Sequence, residues 1–329
     1  DVERSRGLGD VYKRQHVARI RCATMLPVTL HRVIASTASR AFSTSRTTCK
    51  PLELAHEVFQ PSPSDRPMFQ KTSALVICHG LYGSKQNWRS LAKAMVKEFA
   101  LPIYTLDMRN HGSSPHADTM TYLDMAGDIE KFFSDKQLSN VTLIGHSMGG
   151  KVAQTMALNP RLPSHALSHL ISVDMTPAAG PISPEFMRYA RCMVEINKEQ
   201  VQSRSEADKI LKEIEPNLSV RQFLLTNLER QGETMQFRIP VEKIMHALEE
   251  IGEFPYAPPV DEHSAPERLW NGPTLFVKGE RSKYINRHNI PLCKAYFPSM
   301  QLKVLPTGHW CQSEAPGAFI DTVKAFLLQ

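Results

Sequence analysis

Long apolar runs are absent from this 329-residue chain, and none approaches the ~18 consecutive apolar residues that a membrane-spanning helix requires. No transmembrane segment is therefore expected. Cysteine is sparse and unpatterned. The six thiols (Cys22, Cys49, Cys78, Cys192, Cys293, Cys311) form no C-x-x-C and no paired spacing, which argues for free thiols in a reducing compartment rather than a disulfide framework. No cluster of His, Cys and carboxylates has metal-ligand spacing, and no internal repeat is visible. Neither a metal nor another cofactor is expected. Acidic residues are scarce in one place: residues 1–50 hold ten Lys and Arg against three Asp and Glu. The formal net charge of +6 thus belongs to the N-terminus, because the remaining 279 residues carry 29 basic and 30 acidic side chains. A body so near neutrality does not read as a nucleic-acid binder.

The first methionine is Met25, and residues 1–24 are expected to be upstream or non-native sequence. Residues 25–49 contain Arg32, Arg40 and Arg46, many Ser and Thr, and no acid. That is the composition of a mitochondrial transit peptide, and Arg and Ser interrupt any apolar core that a secretory signal would need. "RAFSTS" is similar to a matrix-processing site followed by an octapeptide. The expected mature start is then near residue 50 and the expected compartment the matrix. A disordered basic arm is the other reading of this composition.

What is present from Leu52 onward is alternation. "SALVICHG", "IYTLDM", "VTLIGHS", "LISVDMTP", "TLFVKG" and "LKVLP" read as strands. Between them, "NWRSLAKAMVKEFA" puts Trp88, Leu91, Ala92, Met95, Val96 and Phe99 on one helical face. "TYLDMAGDIEKFF", a run from about Met148 to Leu158, and Pro316 to Leu328 are further helices. Such alternation predicts an α/β fold, a mostly parallel sheet with helices on both faces. The core is expected over 50–176 and 269–329. Residues 177–268 are helical in pattern, charged and spotted with Met and Phe, without a convincing strand. They are expected to form an inserted helical lid, a separate helical domain being the alternative.

Ligands in such sheets sit at the carboxyl ends of the strands, so chemistry is sought there. "GHSMGG" places Ser147 inside G-x-S-x-G, between a β-rich run and a helix. In that context a strained turn exposes the hydroxyl above the sheet, and the small neighbours avoid clashes. Ser147 is the candidate nucleophile. A serine hydroxyl needs a base. Of the six histidines after Ser147, only His309, in "LKVLPTGHW", closes the final strand. Two carboxylates lie at strand ends between them, Asp174 and Glu280. In most enzymes of this fold the acid follows the strand "TLFVKG" in a G-x-x-D frame, but here that frame ends in Ser282 and Glu280 comes one residue after the glycine. Asp174, one strand earlier, is the expected partner of His309. Backbone N–H groups of Met148 and Leu81 are the expected oxyanion donors. His79 is read as a hydrogen bonder that shapes its loop. Asp107, Arg109 and Asn110 are read as a structural turn network.

The motifs "CHGLYGSKQNW", "LDMRNHGSSPH", "LIGHSMGGKVA", "VDMTP" and "GHW" together resemble one branch of the α/β-hydrolase superfamily. That branch holds the mitochondrial abhydrolase domain-containing protein eleven group, fungal ethanol acetyltransferases and small bacterial esterases. The likeness covers most of residues 70–329. It implies that the acid lies in the VD-x-[ST]-P segment, here Asp174, and that the serine near the histidine, here Ser282, is a candidate auxiliary residue. Members often read GGNS where this chain has "GERS". The implied activity is acyl transfer through a Ser147 acyl-enzyme. Release to water makes an esterase or thioesterase acting on small to medium acyl groups, and release to an alcohol makes an acetyltransferase. Dehalogenase and epoxide-hydrolase chemistry is not expected, since those members attack through Asp at the position of Ser147. A catalytically silent binding protein is the reading from another class.

Overall fold

The structure is a computed structural model that describes residues 50–66, 68–259, 264 and 266–329. Both N-terminal expectations, for residues 1–24 and 25–49, lie outside the described residues, as does His263.

A short strand β1 (His56–Phe59) leads to β2 (Ala74–Cys78), a 3-10 turn and α1 (Arg89–Phe99), then β3 (Ile103–Leu106) and α2 (Tyr122–Asp135). Next come β4 (Val141–His146), α3 (Met148–Ala157) and β5 (Leu167–Val173). The segment that follows carries α4 (Pro184–Lys198), α5 (Arg204–Lys212) and α6 (Leu218–Leu225), then β6 (Leu228–Gln231), β7 (Thr234–Phe237) and α7 (Val241–Gly252). The chain closes with β8 (Thr274–Gly279), α8 (Ile290–Tyr296), β9 (Met300–Leu305), α9 (Cys311–Glu314) and α10 (Pro316–Leu327).

Seven strands form one sheet in the order β1-β3-β2-β4-β5-β8-β9, parallel except for β1, which runs antiparallel to β3. Strands β2 and β4 are buried along their whole length, as expected of central parallel strands covered on both faces. Helix α1 buries the face its spacing defined: Leu91, Ala92, Met95, Val96 and Phe99 are inside, with Trp88 just before it. One apolar cluster gathers α1 and α10 against one side of the sheet, and the other holds α2 and α3 with the helices of the 184–252 segment.

Register then determines where side chains of different strands meet. Cys78 lies opposite Gly145, His146 opposite Val173, Val173 opposite Val277, and Gly279 opposite Leu305. The loops after β2, β4, β5, β8 and β9 therefore start at one edge of the sheet.

Two elements depart from the sequence reading. Residues 177–268 were expected without a strand, yet they contain the antiparallel hairpin β6–β7, turned through Gly232 at φ +62°. Its strands have four residues each, and β6 is mostly exposed, too short for periodicity to register. Strand β1 was also unanticipated. It is an edge strand, half exposed, and shows no apolar run. Among the described residues no helix is long and apolar enough to cross a membrane, and Cys78, Cys192, Cys293 and Cys311 are buried free thiols.

Candidate active site

Ser147 caps the step from β4 into α3 with φ 53° and ψ −119°, a backbone region that costs on the order of 1–3 kcal/mol for a non-glycine residue. Its own N–H donates to Val173 O at 3.1 Å, and its carbonyl accepts Gly150 N–H at 2.8 Å and Lys151 N–H at 3.2 Å, which starts the helix. The turn is tight enough to require glycine on either side. A Cβ on Gly145 would fall 2.1 Å from Gly149 O, and one on Gly149 would fall 2.4 Å from Cys78 O.

Asp174 follows β5 and is also strained, at φ 49°, with its N–H tied to Val277 O at 2.7 Å. Its carboxylate is fully buried and accepts three hydrogen bonds. His309 Nδ1–H donates to Oδ2 at 2.7 Å, Gly279 N–H donates to Oδ1 at 3.0 Å, and Ser282 Oγ–H donates to the same Oδ2 as the histidine. A proton on Nδ1 leaves His309 Nε2 free to accept one. The ring is held between His146 and Tyr284, with centroids 4.7 and 4.2 Å away. His146 Nε2–H donates to His309 O at 3.0 Å, and burial, then the neighbouring His309, pushes the His146 pKa well down, so it stays neutral. Glu314 clamps the loop by accepting Gly308 N–H at 2.7 Å. Gly279 lets the two loops touch, since a Cβ there would fall 1.9 Å from Gly308 O.

Glu280, the competing carboxylate, is exposed. Its neighbour Arg281 pairs instead with Glu314 at 3.0 Å. Ser147 and His309 line the same cavity, though no hydrogen bond joins them among the described residues; such contacts often tighten only when substrate binds.

The N–H groups of Leu81 and Met148 have no acceptor among the described residues, whereas those of Tyr82, Gly83, Ser147 and Gly150 are occupied. Tyr82 N–H donates to His111 Nε2 at 3.1 Å and Gly83 N–H to Gly80 O at 2.9 Å. His79 Nε2 accepts Met108 N–H at 3.0 Å while its Nδ1–H donates to Gly80 O at 2.8 Å. Burial lowers the His79 pKa and takes that of His111 to about 3. Both rings are therefore neutral members of the loop scaffold. The turn network after β3 is built as a second scaffold. Asp107 accepts Lys85 N–H at 2.7 Å and Ser113 N–H at 2.8 Å, and Arg109 forms a two-point pair with Asp128 at 2.7 and 2.8 Å. Asn110, at φ 63°, accepts Ala117 N–H at 2.7 Å.

Two cavities meet at Ser147 and share Leu81 and Phe186. The first, about 230 Å³, runs past Met148, Lys151 and Ile251 to Tyr284. The second, about 290 Å³, runs past His309, Trp310, Phe223 and Trp88. Sequence reasoning did not find His146, Tyr284 or Lys151 as parts of the site. Position relative to the elbow was the available signal for His146 and Lys151, one residue before and four after Ser147. Tyr284 had none, because only the fold brings its ring to His309.

A parallel sheet that ends in a strained serine elbow, with unengaged N–H groups and a histidine–carboxylate pair at the same edge, defines an acyl-transfer type of α/β enzyme. The comparisons agree. The chain matches the family described as the alpha/beta hydrolase fold over residues 73–316, and it belongs to that family. It is 36% identical to the sn-1-specific diacylglycerol lipase ABHD11 of Danio rerio, over 88% of this chain and 86% of that one. Identity to a probable alcohol acetyltransferase of Saccharomyces cerevisiae is 33%, over 77% of this chain and 76% of that one. Among solved structures, a marine microorganism esterase superimposes with a TM-score of 0.73 at 32% identity, covering 84% of this chain and 99% of the other. The protein is an enzyme of the serine hydrolase or acyltransferase type.

Proposed function

We propose that the protein is a serine hydrolase that acts through Ser147, His309 and Asp174 on small to medium carboxylic esters or thioesters. The observation that carries this reading is the 2.7 Å bond between His309 and the buried Asp174, at the sheet edge that also holds the strained Ser147. In the reaction, Ser147 Oγ attacks the acyl carbon while His309 Nε2 takes its proton. Asp174 keeps the imidazole in that tautomer and offsets the imidazolium charge. The Leu81 and Met148 N–H groups receive the oxyanion, helped by the N-terminal end of α3. His309 then gives its proton to the leaving alcohol or thiol, and a second nucleophile repeats the sequence in reverse. Ser282 is a positioning residue that holds the Asp174 carboxylate.

The described part of residues 177–268 acts as the lid, since Phe186 lines both cavities, Ile251 the first and Phe223 the second. The cavity beside His309 bears on the second reading, transfer to an alcohol. Its aromatic wall of Trp88, Phe223 and Trp310 would favour an alcohol over water at the acyl-enzyme, and a relative carries the name probable alcohol acetyltransferase. The basic residues 25–49 support mitochondrial import, tested by N-terminal sequencing of the protein from mitochondria.

The functional test uses p-nitrophenyl acetate with and without ethanol, quantifying acetate and ethyl acetate, beside Ser147→Ala. Acetate alone, lost in the variant, supports hydrolysis; substantial ethyl acetate supports alcohol acyltransfer. Turnover that survives in Ser147→Ala overturns both, and absence of turnover together with absence of fluorophosphonate labelling leaves the silent binding protein.

A further inference from the structure

Among the described residues Lys151 is the only buried lysine, 5% exposed. It stands on the first turn of α3, four residues after the Ser147 elbow, and both side chains line the first cavity. Its ammonium donates to Gly252 O and Glu253 O, each at 2.9 Å, at the C-terminal end of α7. An ammonium carries three N–H groups; the third is left to the side of the cavity, where the ring of Tyr122, one of its walls, lies 5.5 Å away at the centroid. The lining of that cavity includes two cations, Lys151 and Lys283, with Asn286 and Asn289 beside them, and neither Asp nor Glu. Burial drives the Lys151 pKa down to about 8, opposed by the charge of Glu253, and no carboxylate lies within ion-pair distance of it among the described residues. A buried cation without a paired anion is unfavourable, and an anion brought into the cavity would relieve it.

The side of Ser147 on which the acyl chain lies follows from His309. The histidine must reach the leaving group, and it lines only the second cavity. The acyl chain is left the first.

Resting on the Ser147 acyl-enzyme reading above, we propose that the first cavity is an acyl pocket for chains ending in a carboxylate, with Lys151 as the recognition group and Lys283 reinforcing it. The substrate class is the monoester or monothioester of a short dicarboxylic acid. The first cavity, about 230 Å³, lies below the ~300–1,000 Å³ of ordinary ligand pockets and suits a short acyl chain.

Lys151 also pins α7, and a pin alone would not discriminate substrates by charge. The test therefore reads a ratio: kcat/KM for monoethyl glutarate over that for ethyl pentanoate, from ethanol released. In wild type this ratio is expected to exceed about ten, and to fall at least tenfold in Lys151→Met and severalfold in Lys283→Gln. Both esters are assayed on one preparation, so the active fraction cancels. A wild-type ratio below one, or a ratio unchanged in Lys151→Met, overturns the proposal. Should Lys151→Met not fold, the wild-type ratio and that of Lys283→Gln decide. If wild type turns over neither ester and is not labelled by fluorophosphonate, it is the acyl-enzyme reading that has failed. Calorimetry with glutarate and pentanoate then carries the pocket proposal: tighter binding of glutarate supports it, and equal or absent binding overturns it.

Discussion

The strand-end edge of the sheet and the segment between β5 and β8 are built in opposite ways. At the strand ends the residues proposed for chemistry are tied in place by hydrogen bonds between neighbouring strands and loops. Ser147 hangs from Val173 O, Asp174 from Val277 O, and the Asp174 carboxylate is held by Gly279 N–H, Ser282 and His309. The 184–252 segment instead joins the rest through a shared apolar cluster and a few polar contacts. Tyr82 Oη–H donates to Phe186 O at 2.8 Å, Asn227 Nδ2–H to Tyr82 O at 2.7 Å, and Tyr122 Oη–H to Ile251 O at 2.8 Å. It contributes cavity walls and none of the proposed reacting groups. The difference teaches that reaction type is set by elements locked in register, while choice of acyl group and acceptor is set by a surface that can change without disturbing them.

That division can be broken by substitution. Asp174→Asn should lower kcat by about 10⁴-fold, with Glu280→Gln within twofold of wild type; the reverse ranking in steady-state kinetics would move the acid to the later strand. Ser282→Ala should cost roughly tenfold in kcat with little change in KM, because the loss of one hydrogen bond to a charged group is worth ~1.5–3 kcal/mol at most. Ser282→Thr, which keeps the hydroxyl, should recover most of it, and failure to do so would assign Ser282 to packing. Phe223→Ala, in the segment, should leave the rate of fluorophosphonate labelling within about threefold and lower the ratio of ethyl acetate to acetate severalfold. An equal loss in both would erase the proposed boundary between the two regions.

The smallest effect concerns the point where the regions are pinned. The folded-state pKa of Lys151 lies below its usual 10.5, at about 8, so between those values the unfolded chain binds more protons than the folded one. Stability from this group is therefore missing below about pH 8 and gained as pH rises toward 10.5. The Tm of wild type minus that of Lys151→Met should rise by a few degrees from pH 7.5 to 10. A flat difference would mean that the ammonium is not desolvated.

Much of the strand-end edge was legible because local pattern and chemistry coincide there. The run "VTLIGHSMGG" carries strand, turn glycines and the candidate nucleophile in ten residues, and "LISVDMTP" ends a buried strand on a carboxylate. Asp174 was preferred over Glu280 from the position of one glycine, and the structure puts the former against His309 and leaves the latter exposed. The proposed oxyanion donors were legible only as positions: that Leu81 N–H stays unengaged while Tyr82 N–H is taken by His111 depends on a contact across 29 residues. Tyr284 and the β6–β7 hairpin were hidden for other reasons. A ring close to His309 at 4.2 Å leaves no periodic trace, and two four-residue strands, of which β6 is mostly polar and exposed, are too short to stand out from loop. Lys151 was visible in "GGKVA" but its burial was not, since lysine on a helix is ordinarily solvated.

The most direct test of a chemistry fixed at the strand ends is rapid-quench peptide mass spectrometry after mixing the protein with p-nitrophenyl acetate. The account predicts an acetyl group on Ser147 that forms within the first turnover and decays at the steady-state rate, and that Asp174→Asn forms far more slowly. An acetyl group on another residue, or turnover with Ser147 unmodified and replaceable by alanine, would contradict it.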